Sequence, residues 1–305
     1  MINRALIRLK VVQLVYAYYQ NEGKTTEVAL KELDFSLEKS YDLYRSLLSL
    51  LVEIRRLAQH KADVRSANSR LADKGNDSLL AANKFLLQLE ENKQLSEWSA
   101  KQKTSWANED KFLKNIYEAF TTDDAFVAYV DRADNSYEAD RELVRRLYKT
   151  LIIGNEAFDA LLEEQSLYWN DDKEIVDSFV LKTIKRFDPA NGADQELLPA
   201  YADKEDQTFA SKLFLTAIER ADELRELMRQ NTRNWDFSRM ALMDVIIIQI
   251  AAAEVIAFPT IPLNVTFSEY IDIAKFYSTP RSASYVHGML DTIVKHLKET
   301  GAIRK

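Results

Sequence analysis

Apolar residues recur at spacings of three and four along almost the whole chain, and the elements this pattern predicts are helices. The first runs over residues 3–20, where Leu6, Val11, Leu14, Val15 and their neighbours are apolar. One or two more are expected from Thr26 to about His60. The polar stretch from Lys61 to Asn76 reads as a loop or a frayed helix end. Shorter patterns follow at 77–93, 109–120 and 122–132, then a longer one from Glu138 to Gln165 and another from Asp172 to Phe187. The segment FDPANGADQELLPAYADKEDQ (187–207) holds two prolines and a glycine and is the clearest linker in the sequence. Beyond it, helices are predicted at about 208–231, 236–257, 266–278 and 280–299. The expected fold class is all-α.

Local chemistry sharpens three of these boundaries. Thr266-Phe-Ser-Glu269 has the spacing of a capping box, in which a hydroxyl and a carboxylate satisfy two orphan amides. Thr279-Pro280 sets an N-cap residue before a proline at the first helical position, where the missing N–H costs nothing. Gly301 is a natural stop for the last helix. The stretch YIDIAKFYSTPRSASYVHGMLD (270–291) therefore reads as two helices meeting at a built junction, with the second helix's N-terminus presented outward.

Composition agrees with long helices: six glycines and five prolines in 305 residues are few. With no cysteine, disulfides, thiolate metal sites and cysteine nucleophiles are excluded. The segment MINRALIRLK lacks the uninterrupted apolar core of a signal peptide. The longest apolar run, VIIIQIAAAEVIAF from Val245 to Phe258, is broken by Gln249 and Glu254 and is too short to span a bilayer. A cytoplasmic protein with no membrane partner is the expectation.

Net charge is −7, but its distribution is uneven. Arg4, Arg8 and Lys10 give residues 1–20 a charge of +3, and six basic against two acidic groups give residues 275–305 a charge of +4, which leaves −14 for residues 21–274. Folding could merge the two basic ends into one patch. The alternative is two solvated tails.

Catalytic motifs are missing. His60, His287 and His296 are scattered, without metal-ligand spacing beside an acidic motif. No GxGxxG, GxxxxGK[ST] or GxSxG occurs, and paired acids such as Asp123-Asp124 and Asp171-Asp172 read as helix N-terminal charges. Neither an enzyme, a metal nor a cofactor is expected.

Two parts of the sequence resemble the NusB family of transcription antitermination factors. In the last seventy residues the matching positions are Trp235, Arg239, Asp244, Glu254, Pro262, Glu269, Ala274-Lys275, Ser282, Tyr285-Val286, Gly288 and Leu290-Asp291. At the N-terminus, RLKVVQLVYAY carries Arg8, Gln13 and Tyr16 where the family has an arginine, a glutamine and a tyrosine on its first helix. The resemblance covers roughly residues 3–30 and 207–300. It implies a NusB-like helical bundle enlarged by an inserted, mostly helical segment: residues 1–32 as the N-terminal helix region, 33–205 as an insertion of unassigned role, and 206–305 as the C-terminal helical subdomain. It also implies a non-catalytic RNA-binding protein that pairs with the small-subunit ribosomal protein NusE to hold boxA-type single-stranded RNA beside the transcription elongation complex. Self-association as a homodimer stays open and would compete for a shared face.

Read physically beside the family, Arg4 and Arg8 are one turn apart and could straddle successive phosphates. At the junction, the helix N-terminus, Arg281 and Ser282 offer phosphate contacts, Lys275 lies at the preceding helix end, and Tyr285 offers a ring for base stacking. Tyr16 and Asp244 match family positions that face NusE. The competing reading of the same fold is a protein-interaction scaffold without specific RNA binding, for which the −14 middle and an N-terminal arm with fewer arginines than the family's usual cluster are the arguments. A third arises because some rRNA cytosine methyltransferases carry a NusB-like domain. That reading needs cysteine nucleophiles, which this sequence lacks.

Overall fold

A computed structural model describes residues 1–21, 24–67, 76–131, 134–169, 171–232 and 240–305. Among them the regular structure is helical: α1 (Arg4–Gln20), α2 (Thr26–Ser66), α3 (Asp77–Ala81), α4 (Lys84–Glu91), α5 (Lys93–Ser99), α6 (Asp110–Thr122), α7 (Asp124–Val130), α8 (Tyr137–Leu151), α9 (Glu156–Gln165), α10 (Lys173–Arg186), α11 (Lys204–Glu219), α12 (Ala221–Gln230), α13 (Leu242–Ala257), α14 (Leu263–Tyr277) and α15 (Ser282–Glu299), with short 3-10 turns at Trp106–Asn108 and Pro189–Asp194. The described residues hold no strand, only an isolated bridge between Ile2 and Tyr201. None of their helices is long and apolar enough to cross a membrane.

The chain divides into two compact units, one comprising Met1 and Lys39–Ala200, the other Ile2–Glu38 and Tyr201–Lys305. The second is organised around α13. This helix is buried without interruption from Asp244 to Val255, because its sequence is apolar on every side. α1, α11, α12, α14 and α15 all pack against it. Side-chain oxygens start the flanking helices: Asn3 accepts from the Leu6 N–H ahead of α1, and Asp203 from the Asp206 N–H ahead of α11. At the other end of the unit α15 closes in a Schellman turn. Gly301 takes φ +70°, its N–H donates to Lys298 O, and the Ala302 N–H reaches Leu297 O at 2.9 Å.

In the first unit α8 packs against α4, α6, α7 and α10. Two buried asparagines fasten the short helices. Asn83 and Asn92 cap α4 and α5 with their carboxamide oxygens and spend their N–H groups on Asp140 O and Gln195 O.

Several boundaries differ from the sequence expectation. The pattern from Glu138 to Gln165 is two helices, α8 and α9, and the one expected at 208–231 breaks at Arg220 into α11 and α12. Thr266 and Glu269 do not cap a helix: α14 begins earlier, at Leu263, and both side chains serve a buried ion pair described below. The segment after α10 is not a loose linker within this unit. Gln195, Leu197 and Leu198 are buried, Gln88 donates to Asp188 O and Gly192 O, and the Leu198 N–H donates to Tyr44 Oη. The helix from Thr26 runs unbroken through the predicted fraying point to Ser66.

Candidate RNA and partner interface

The chemistry of the second unit starts from a carboxylate inside an apolar helix. Glu254 is 0% exposed, so its charge requires compensation. Arg8 of α1 supplies it, donating from Nε to Oε2 at 2.8 Å and from Nη2 to Oε1 at 2.9 Å. Thr266 Oγ1 donates to Oε1 at 2.8 Å and Tyr270 Oη to Oε2 at 3.0 Å, so each carboxylate oxygen takes two bonds. The third arginine nitrogen, Nη1, lies 3.4 Å from Glu269 Oε2, and the guanidinium packs over the Phe209 ring. Burial opposes the Arg8 charge, but the bonds and the negative charge of Glu254 outweigh it and hold the guanidinium above its ordinary range. Burial, then the Glu254 charge, pushes the Tyr270 phenol well above the usual tyrosine range. The network fixes α1 to α13 and α14.

A second polar cluster seals the junction between α14 and α15. Ser278 Oγ donates to Asp244 Oδ1 at 2.6 Å and Ser282 Oγ to Asp244 Oδ2 at 3.0 Å. The Thr279 N–H donates back to Ser282 Oγ at 3.1 Å, while the Ser282 N–H reaches Thr279 O at 2.9 Å. Pro280 and Arg281 thus form a turn, and regular α15 begins at Ser282, two residues past the predicted start. One turn on, Tyr285 is half-buried with its hydroxyl on Met240 Sδ at 3.2 Å. Burial and the nearby Asp244 charge raise its phenol.

Around this junction lies the exposed surface. Lys275 and Arg281 are exposed, and Lys275 pairs with Asp272, itself at the surface. Phe276 is 67% exposed and meets the Tyr277 ring edge-on at 5.1 Å. Gln13 Nε2 donates to Tyr277 Oη at 2.9 Å, which sets the end of α14 beside α1, one turn from the 39%-exposed Tyr16. The pair Phe276-Tyr277 escaped the sequence reading. Its signal was the run Lys-Phe-Tyr placed directly before the helix break, where an aromatic has no further turn to cover it.

The sequence-selected residues fall into two groups. Arg4, Lys275, Arg281, Tyr285 and Tyr16 present surface, although Arg4 Nε also donates to Asp206 Oδ1 at 3.1 Å and its guanidinium packs over Phe209. Arg8, Ser282 and Asp244 do not. Arg8 is 2% exposed with its fork committed to carboxylates, so it offers no face to a phosphate. Ser282 and Asp244, expected on an RNA surface and a partner surface, are buried against one another. A carboxylate between two helix ends finds hydroxyl partners more readily than it tolerates burial alone. Trp235 and Arg239 lie outside the described residues.

Comparison with known proteins bears directly on this arrangement. The NusB family model matches residues 178–295. The transcription antitermination protein NusB of Salinibacter ruber is 33% identical over 132 residues, covering 41% of this chain and 82% of that protein. The same-named proteins of Koribacter versatilis and Desulfatibacillum aliphaticivorans are 34% and 37% identical over 31% and 32% of this chain, covering 65% and 68% of their own lengths. No solved structure matches. The match takes in Asp244, Glu254, Thr266, Glu269, Tyr270, Ser278, Thr279 and Ser282, the residues of both buried clusters apart from Arg8, and the chain belongs to the NusB family.

Proposed function

We propose that this protein is a non-catalytic transcription antitermination factor that holds boxA-type single-stranded RNA together with the ribosomal protein NusE in the cytoplasm. The observation that carries the reading is the α14–α15 junction. Exposed Lys275, Phe276 and Arg281 and half-buried Tyr285 gather where α15 presents its N-terminal end. Cations and a helix N-terminus suit phosphates, and aromatic rings suit unstacked bases. Arg4 adds a further cation on α1. Arg8, Ser282 and Asp244 act as positioning residues: the first holds α1 on α13 and α14, and the other two hold the junction. Tyr16 and the aromatic pair Phe276-Tyr277 offer the partner a surface with apolar area and polar tips.

One observation favours the scaffold reading instead. With Arg8 buried and Arg4 facing Asp206 and Glu205, the basic arm on α1 is thin. Fluorescence anisotropy decides between the two, using labelled boxA RNA and a scrambled control with and without the cognate ribosomal protein. The RNA reading expects a preference for boxA that grows with the partner and is lost in Arg281→Ala/Tyr285→Ala. A partner complex that forms while neither RNA binds refutes it and leaves the scaffold.

A further inference from the structure

The unit comprising Met1 and Lys39–Ala200 carries a charged surface outside the proposed site. α8 and α10 run antiparallel there. Arg141 Nη1 donates to Phe187 O at 2.7 Å near one end, and Lys173 Nζ to Ile152 O at 3.1 Å near the other, with Tyr148 Oη on Asp177 Oδ1 at 2.5 Å between them. Leu143, Val144, Leu147 and Tyr148 on α8, and Val176, Val180, Thr183 and Ile184 on α10, are buried. That burial leaves Arg146, Lys149, Lys182, Lys185 and Arg186 on the solvent side, all five exposed.

None of the five takes part in an ion pair among the described residues, whereas nine other cations of the same unit do. Arg55 and Arg56 face Glu90, Arg65 faces Asp77, Lys93 faces Asp194 and Lys114 faces Asp110. The exposed acidic groups on and beside these helices are Glu138, Glu142, Glu174 and Asp188; Glu142 is held by the Arg145 guanidinium at 2.7 Å, and the Arg146 charge helps hold its carboxyl below the ordinary range. In a chain of net charge −7, five exposed cations outside any ion pair among the described residues, on two adjacent helices, are a local reversal of sign.

We propose that this α8–α10 face binds the phosphate backbone of single-stranded RNA, independently of base sequence. The proposal takes its ligand class from the RNA-binding reading above. Two features favour RNA over an acidic protein. The exposed positions on these helices include no large hydrophobic residue, whereas a protein interface has an apolar or aromatic centre from which lysine is depleted. Three of the five cations are lysines, compact point charges suited to phosphate at any register. Residues one turn apart on α10, such as Lys182 and Arg186, are offset by about 6 Å along the axis, a step that follows an extended backbone. The family match starts at residue 178, so the α8 half of this face lies outside it.

The test uses the full chain and the variant Lys149→Ala/Lys182→Ala/Lys185→Ala, with a labelled single-stranded RNA of about 30 nucleotides that lacks boxA, long enough for a second site. Binding is followed across a salt series. Removing three phosphate contacts lowers the slope of log K against log salt by about 2, since each contributes roughly 0.7 on a single strand. The thermal melting curve stays where it was, because the three side chains are exposed and form no ion pair among the described residues, and alanine favours helix. An unchanged slope with boxA preference intact overturns this proposal alone. Absence of RNA binding by the unaltered chain overturns it together with the functional reading. A labelled polyglutamate peptide that binds the unaltered chain more tightly than the RNA, and is lost from the variant, assigns the face to an acidic protein and likewise overturns it.

Discussion

Removing Arg8 and Glu254 together should destabilise the protein no more than removing either one alone. Glu254→Leu strands the Arg8 guanidinium, 2% exposed, with Glu269 at 3.4 Å as its remaining anion. Arg8→Met strands a carboxylate that is 0% exposed, leaving it only the two hydroxyl donors. Breaking a buried pair from one side costs about 3–5 kcal/mol, because the survivor stays desolvated. In the double variant no uncompensated charge remains between the two. What is left unsatisfied is the pair of hydroxyls on Thr266 and Tyr270, at about 1–3 kcal/mol each. The double variant therefore loses about 2–6 kcal/mol, comparable with either single, against about 6–10 kcal/mol if the singles were additive.

The assay is native-state hydrogen exchange on peptides from α1, α13 and α14, which reads the opening free energy of this unit separately from that of the other. Additive losses would refute the account of Arg8 and Glu254 as mutually compensating charges. The same double variant tests the placement of Arg8 against the phosphate contact that its position in the sequence suggests. If the guanidinium is buried as described, the salt slope of RNA binding is unchanged; a drop of about 0.7 would mean a phosphate contact was lost.

Two further predictions concern other buried polar groups. Tyr44 is fully buried, and burial, partly relieved by its bond with Thr183, raises its phenol to about 12. Because the folded value lies above the ordinary one near 10, its contribution is fully present below pH of about 10 and is lost as the pH rises towards 12, up to about 3 kcal/mol. Urea midpoints measured across that range should fall less steeply in Tyr44→Phe, and parallel curves would contradict the assignment. At the junction, Ser282→Ala removes one of the two hydroxyls on Asp244 and should cost about 1–2 kcal/mol. It should also weaken boxA binding by displacing Arg281 and Tyr285, lowering the salt slope by at most the roughly 0.7 of one phosphate contact; unchanged boxA affinity would count against a positioning role.

Most of the helices were legible from periodicity, since an amphipathic stripe is written in neighbouring residues. The break between α14 and α15 and the stop at Gly301 were legible because turn chemistry is local, although Pro280 lies in the turn before α15 and not at its first position. The capping box at Thr266–Glu269 failed because its two side chains have better partners in Glu254 and Arg8, distant in sequence. The segment after α10 reads as a linker by its prolines and glycine, yet its buried Leu197 and Leu198 and the Tyr44 and Gln88 contacts bind it to its unit. Local composition carries no record of such contacts.

Separating site from support at the two chain ends was harder, and the reason is specific. A cation on an amphipathic helix looks the same in sequence whether it meets a phosphate or a carboxylate. What distinguishes Arg8 is elsewhere, in the apolar run from Val245 to Phe258 that Gln249 and Glu254 interrupt. A polar group inside a helix that is apolar on every side has no solvent to turn to, so it demands a partner from another element. Gln249 meets that demand with Tyr19, Ala217 O and Arg225, and Glu254 with Arg8, Thr266 and Tyr270. Each interruption of the run thus marks one arginine as structural. Lys275 and Arg281 face no such demand: among the described residues both are exposed, and the ion pair of Lys275 is with a surface aspartate.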